Sequence, residues 1–286
     1  MSKKPSKNKQ GVDIPSFIIY TGKFLQSISS YLAVKFAAKL FTTPIKYKAP
    51  KREKPMFVGS IQENVFIESL NKTVVSYKYG KGEKKVLLVH GWSGRGTQLF
   101  KIADAMVAKG YQVISFDAPA HGKSEGNKSM MLEFIECILT FEKKFGPFDY
   151  AIGHSLGGMA IINALKRGFK TKKIVTIGSG DKISDIVKDF INQLQLKPTL
   201  APKLTAYFEN ILKDKMSDYD SFHVLQNFDI PHLIIHDKDD VEVNVYCAKN
   251  IHKYSKNSIL FLTEGFGHRK ILGSDEVIQQ INQFID

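Results

Sequence analysis

Apolar and polar positions change their period repeatedly from residue 61 onward. Ile61 to Glu68 and Thr73 to Tyr79 alternate between the two classes, with turn residues Leu70-Asn71-Lys72 between them, which predicts an antiparallel hairpin. Val86 to Val89 is a continuous apolar run, the pattern of a strand covered on both faces. Helical spacing follows from Thr97 to Lys109 and ends at Gly110, and Gln112 to Phe116 reads as the next strand. Lys128 to Phe145 is helical and stops at Gly146-Pro147. Further strands are expected at Phe148 to Ile152, Lys173 to Ile177, His232 to His236 and Ser258 to Leu262. Helices are expected at Met159 to Lys166, Asn244 to Lys253 and Ser274 to Phe284. Strands alternating with helices predict an α/β fold, a mostly parallel eight-stranded sheet with helices on both faces.

Two stretches break this rhythm. Between Ile177 and His232 there is helical patterning and no convincing strand, with the best helices at Ile183 to Leu194 and Ala206 to Lys213, separated by Pro198 and Pro202. A structureless loop of that length is rare in a compact domain. A small helical cap at about residues 180–229, inserted into the sheet domain of residues 56–286, accounts for it better. The other stretch is the N-terminal arm and linker, residues 1–55. Residues 16–41 read as one or two helices whose apolar stripe is imperfect, so the sequence leaves open whether they rest on the protein's own body or on a membrane surface. Their longest uncharged run, Phe24 to Val34, is well short of the roughly 20 residues needed to cross a bilayer. Pro44, Pro50 and Pro55 mark a linker.

The net charge of +13 suggests nucleic acid until it is placed. Residues 1–55 hold 12 Lys/Arg against 2 Asp/Glu, beginning with Lys3, Lys4, Lys7 and Lys9; the remaining residues hold 29 against 26. The body is nearly balanced, so no nucleic-acid partner is expected, and the basic arm suggests peripheral contact with an anionic membrane. Cys137 and Cys247 both fall in expected helices and fit neither a metal spacing nor a disulfide framework, which leans towards a reducing, cytoplasmic setting.

The candidate chemistry centres on Gly153-His154-Ser155-Leu156-Gly157. It lies between an expected strand and an expected helix, the setting of a nucleophile elbow that holds a reactive serine in a strained turn. A serine hydroxyl needs a base in hydrogen-bond reach, and the base needs an orienting carboxylate. In this architecture the chain order is serine, acid, histidine, with the partners beyond the carboxyl ends of later strands. Asp237, Asp239 and Asp240 follow the strand at His232 to His236 and are the candidate acids; Asp181 is a minor alternative. His268 is the only histidine after the last strand and the candidate base. His252 is read as structural. His90, His121 and His154 lack the spacing of zinc motifs, and no dinucleotide or phosphate-loop fingerprint occurs, so no metal and no cofactor are expected. Gly91 to Gly96 is read as a flexible loop.

With these residues the chain resembles the α/β-hydrolase family over roughly residues 60–286. Four motifs carry the resemblance in the family's order: His90-Gly91-Trp92, Asp117-Ala118-Pro119-Ala120-His121-Gly122-Lys123-Ser124, the elbow at Ser155, and the acid and histidine loops. The resemblance implies Asp240 as the acid, although Asp237 and Asn244 replace a usual Gly and Pro around it. It also implies an oxyanion hole made by the backbone N–H groups of Trp92 and Leu156. The expected activity is that of a serine hydrolase on a small-molecule ester or related acyl substrate. Acyl transfer, thioester or peptide cleavage on the same fold are the alternatives, and a non-catalytic membrane-associated scaffold is the alternative of another class. Oligomeric state is not legible.

Overall fold

The computed structural model describes residues 14–286, so Lys3, Lys4, Lys7 and Lys9 lie outside the described residues. All eight expected strands form: β1 (Ile61–Ile67), β2 (Lys72–Tyr79), β3 (Lys85–Val89), β4 (Gln112–Phe116), β5 (Tyr150–His154), β6 (Lys173–Ile177), β7 (His232–Asp237) and β8 (Ser258–Thr263). They make one sheet in the order β1-β2-β4-β3-β5-β6-β7-β8. β1 pairs antiparallel with β2, as expected, and β2 antiparallel with β4; every other pairing is parallel.

The helices are α1 (Ser16–Ile28), α2 (Ser30–Phe41), α3 (Lys54–Gly59), α4 (Phe100–Ala108), α5 (Met131–Phe145), α6 (Leu156–Lys166), α7 (Ile183–Gln193), α8 (Leu200–Leu212), α9 (Ser221–Leu225), α10 (Tyr246–Tyr254), α11 (Gly267–Lys270) and α12 (Asp275–Ile285). The apolar runs of the central strands are explained by a core on each side of the sheet. Leu87 and Val89 of β3 join α5 and α6 side chains such as Phe134, Phe141 and Ile161 on one face. Val86 and Leu88 join Ile102 and Met106 of α4 and Val277 and Ile281 of α12 on the other. Period-2 alternation thus serves two cores at once.

The stretch between β6 and β7 holds no strand and carries α7, α8 and α9. α8 departs from the expected boundary: it begins at Leu200 and runs through Pro202. Pro202 is the third residue of the helix, in the first turn, where no intrahelical N–H bond is required of it. The N-terminal helices seat on this insertion. Ala33, Val34, Ala37 and Ala38 of α2 are buried against Val187 and Ile191 of α7 and Leu200, Leu204 and Phe208 of α8. Small side chains on α2 allow the close approach, and Phe41 at its end packs edge-on to Phe190, with ring centroids 5.1 Å apart.

Residues 91–96, expected as a flexible loop, are held at several points together with Thr97. Ser93 Oγ accepts from Ile45 N–H at 3.0 Å, and Gly96 N–H donates to Asp117 Oδ1 at 2.7 Å. Glu53, buried near the end of the linker, accepts from Arg95 Nη1 at 3.2 Å and from Thr97 Oγ1 at 2.7 Å. The linker and the loop therefore brace each other. A buried Glu without Arg95 would be a strongly unfavourable charge.

Candidate active site

β5 ends at His154 and α6 begins at Leu156, leaving Ser155 alone in the turn with φ 53° and ψ −121°. This is a conformation that side chains other than glycine rarely adopt, and it persists only where the surroundings over-determine it. They do so here. Ser155 N–H donates to Ile177 O at 2.9 Å, tying the turn to β6. A Cβ on Gly153 would sit 2.6 Å from the backbone of Gly157, and one on Gly157 would sit 2.3 Å from Val89 O. The flanking glycines therefore let the turn close and let α6 approach β3.

His268 lies at the start of α11, after Gly265 and Gly267, both with positive φ. Its Nδ1 lies 2.7 Å from Asp240 Oδ2. The other Asp240 oxygen, Oδ1, accepts from Glu242 N–H at 2.8 Å and Val243 N–H at 2.9 Å. Burial opposes ionisation of Asp240, but donors from His236 and His268 and the charge of His268 outweigh it, holding the carboxyl well below its ordinary range. Of these donors the His268 contact is the short one, since His236 Nε2 stands 3.5 Å away and donates at 2.8 Å to Val243 O instead.

The other aspartates do not touch His268. Asp237 fastens the acid loop to the histidine loop: Oδ1 accepts from Asp239 and Gly267 N–H, and Oδ2 from Thr263 Oγ1 and Phe266 N–H. Asp239 accepts from Gly265 N–H and faces solvent. Asp181 anchors the start of α9 through Phe222 N–H at 3.0 Å and holds Asn250 of α10 at 2.5 Å. Burial opposes the charge on Asp237, yet its four donors lower its pKa below the usual carboxylate value. Its contribution to stability is therefore complete above the unfolded value of about 4 and fades as pH falls below it. Asp237→Asn should lower stability by about 1–3 kcal/mol near neutral pH, because one oxygen cannot serve four donors and an amide N–H₂ would face donors. The gap from the wild type should narrow below about pH 4 in thermal unfolding. A gap that widens there would show that the carboxylate charge is not what matters.

Ser155 and the dyad meet across Gly178 at the end of β6. A Cβ there would stand 3.2 Å from His268 Nδ1 and 3.5 Å from Asp240 Oδ2, while the preceding residue, Ile177, accepts from Ser155 N–H. Among the described residues no hydrogen bond joins Ser155 Oγ to His268; such bonds are often long before substrate binds.

Two histidines that the sequence only placed inside motifs turn out to position this site. His90 Nε2 accepts from Ala118 N–H at 3.0 Å, so its proton sits on Nδ1, which donates to Gly91 O at 2.7 Å. Burial lowers its pKa to about 4, so the ring stays neutral and holds that tautomer. It thereby fixes the Gly91–Trp92 peptide, which approaches so closely that a Cβ on Gly91 would lie 2.9 Å from Ser155 Cβ. His154 Nε2 donates to His268 O at 2.8 Å, and the two rings are 4.6 Å apart. Burial, and next the charge of His268, lower the His154 pKa to about 3. Ala118 and His268, the partners that tie these rings to other segments, are distant in sequence, which is why periodicity and spacing did not reveal them.

Ser155, Trp92 and Leu156 open together onto a cavity of about 600 Å³, within the range that holds small ligands. Leu40 and Phe41 of α2, Met159 of α6 and Phe190 of α7 line it as well. The wall is mostly apolar and is built in part by the N-terminal arm. Among the described residues no group of three or more His, Cys, Asp or Glu converges as a metal site.

The α/β hydrolase fold family matches residues 84–215. No curated protein matches the chain. Many solved structures do. A putative lipase from Acinetobacter baumannii AYE is 20% identical, covers 82% of this chain and 93% of its own, and superposes with a TM-score of 0.62. An esterase from Pyrococcus furiosus is 16% identical over 85% of this chain and 97% of its own, with a TM-score of 0.63. A membrane phospholipase A described as a bacterial virulence factor is 15% identical over 95% of this chain and 98% of its own, also at 0.63. At such identities the likeness is one of fold. The sequence match over residues 84–215 and the strand order both show the α/β-hydrolase fold.

Proposed function

We propose that the protein is a serine hydrolase that cleaves an ester or related acyl bond through Ser155, His268 and Asp240. The observation that carries this reading is the buried 2.7 Å contact of His268 with Asp240 beside a strained, pocket-facing Ser155. Ser155 Oγ attacks the substrate carbonyl carbon as its proton passes to His268 Nε2. The carbonyl oxygen becomes an oxyanion, received by the N–H groups of Leu156 and Trp92. Leu156 is the first residue of α6, so its N–H has no intrahelical partner. The tetrahedral adduct collapses, the bond to the leaving alcohol breaks, and His268 Nε2 returns the proton to it. Water, deprotonated by the same nitrogen, then releases the acid and restores the serine. Asp240 balances the imidazolium at each stage. The apolar cavity suits the acyl portion of the substrate, and the helical insertion with α2 acts as the cap over it.

Labelling with a fluorophosphonate, followed by mass spectrometry of the peptides, tests the assignment. A single adduct on Ser155 is expected, together with hydrolysis of short p-nitrophenyl esters. A panel of thioesters, anilides and alcohol acceptors then separates the activities this fold supports. Failure of the probe to label Ser155 in folded protein would sink the catalytic reading and favour a binding role.

A further inference from the structure

α1 carries more apolar surface than its seat on the body covers. Ile18 and Leu25 pack inward with the α2 and insertion cluster, and Gly22 is buried beside Leu196. Beside that seat Phe17, Tyr20, Phe24 and Ile28, continued by Tyr31 of α2, form a row spaced three or four residues apart, each 60–71% exposed. A helix that seats one face on a body ordinarily keeps the rest of its surface polar, and an exposed row of this size marks an interaction surface. The segment that carries the row is basic. Residues 14–52 contain no Asp or Glu and seven cations, among them Lys23, Lys35, Lys39, Lys46 and Lys48. Lys35 Nζ stands 5.4 Å over the Tyr31 ring, at the edge of the row.

The occupant must therefore offer an apolar interior beneath an anionic face. A second copy that lays this same segment across a two-fold axis brings the same cations and no carboxylates, so like charges face each other. Residues 1–13, MSKKPSKNKQGVD, are too polar to cover the row themselves. No described helix is long and apolar enough to cross a membrane, and α1 with its 13 residues is about 20 Å long against a hydrocarbon core of about 30 Å. We propose that α1 lies in the plane of an anionic lipid bilayer, inserting Phe17, Tyr20, Phe24, Ile28 and Tyr31 at the headgroup boundary while the arm's lysines hold the lipid phosphates. This docking does not depend on the chemistry at Ser155. It does bring lipid close to the cavity, because the far end of α2 supplies Leu40 and Phe41 to the cavity wall.

Flotation of the full-length protein tests it, using vesicles of phosphatidylcholine alone or with about one third phosphatidylglycerol. The wild type should float with the anionic vesicles and much less with the neutral ones, and about 1 M NaCl should weaken the binding. A variant carrying Phe17→Ser, Phe24→Ser and Ile28→Ser should lose at least about tenfold in binding while keeping its melting temperature. None of these three side chains lines the cavity. The proposal is overturned if the wild type floats with neither vesicle, if it floats equally with both, or if the variant binds as well as the wild type. It is overturned equally if size-exclusion chromatography shows a wild-type dimer that the variant dissolves, which would assign the row to a second copy.

Discussion

Ser155→Ala is expected to reduce ester hydrolysis by about 10⁴- to 10⁶-fold while leaving the melting temperature unchanged. Loss of the Oγ removes the bond-forming atom, and what survives comes from the oxyanion donors and the pocket acting on water. Alanine keeps the backbone at φ 53° and so keeps the strain. Ser155→Gly should be just as inactive, yet more stable. The turn is then relieved of a cost of about 1–3 kcal/mol, partly offset by the greater freedom of glycine in the unfolded chain, for a net gain of about 1 kcal/mol. For a chain of this size that is about 2 °C in thermal unfolding. The pair of variants separates the serine's chemistry from its conformational cost. Wild-type activity in either one would remove Ser155 from the mechanism. A glycine variant less stable than the alanine variant would show that the turn is not strained.

Most of the sheet was legible because its strands carry local signals: short apolar runs, alternation at the hairpin, and Gly or Pro at their ends. Boundaries shifted where packing overrides pattern. α5 starts at Met131 rather than Lys128, and α8 absorbs Pro202 because a first-turn position tolerates it. The turn at Ser155 was legible because a strand-to-helix turn this tight needs glycines at fixed offsets. What stayed hidden depends on contacts between distant segments. Local pattern does not separate three neighbouring aspartates, of which only the family resemblance picked out Asp240; the backbone path of residues 237–243 turns Asp240 to His268 and Asp237 to the loop amides. Likewise, Leu40 and Phe41 look like ordinary end residues of an amphipathic helix. Their place in the cavity follows from how α2 seats on α7 and α8, which no local period encodes. The wide apolar surface of α1 appeared in the sequence as an imperfect stripe, since a helix with both a core face and an exposed apolar row beside it has a blurred period.

Asp240→Asn should lower kcat/KM by about 10⁴-fold, although the side chain barely changes shape. The reason lies in the other oxygen. Because Oδ1 accepts from Glu242 and Val243 N–H, the amide of an asparagine would turn its carbonyl oxygen there and point its N–H₂ at His268 Nδ1. His268 Nδ1 would then be an acceptor and Nε2 would carry the proton, the tautomer that cannot take a proton from Ser155. Loss of the carboxylate also removes the charge that balances the imidazolium formed during attack. Asp240→Ala avoids the inverted tautomer but frees the ring, so asparagine should be no better than alanine. Asp239→Asn is the control and should stay within a few-fold of the wild type, because Asp239 contacts only Gly265 N–H on the histidine loop. Steady-state kinetics on a soluble short ester read all three. An asparagine variant that keeps a large part of wild-type activity would mean that Asp240 does not act through the His268 tautomer, and the acid would have to be sought elsewhere. If Asp239→Asn were the inactive one, the His268–Asp240 contact would be structural and not part of the reaction.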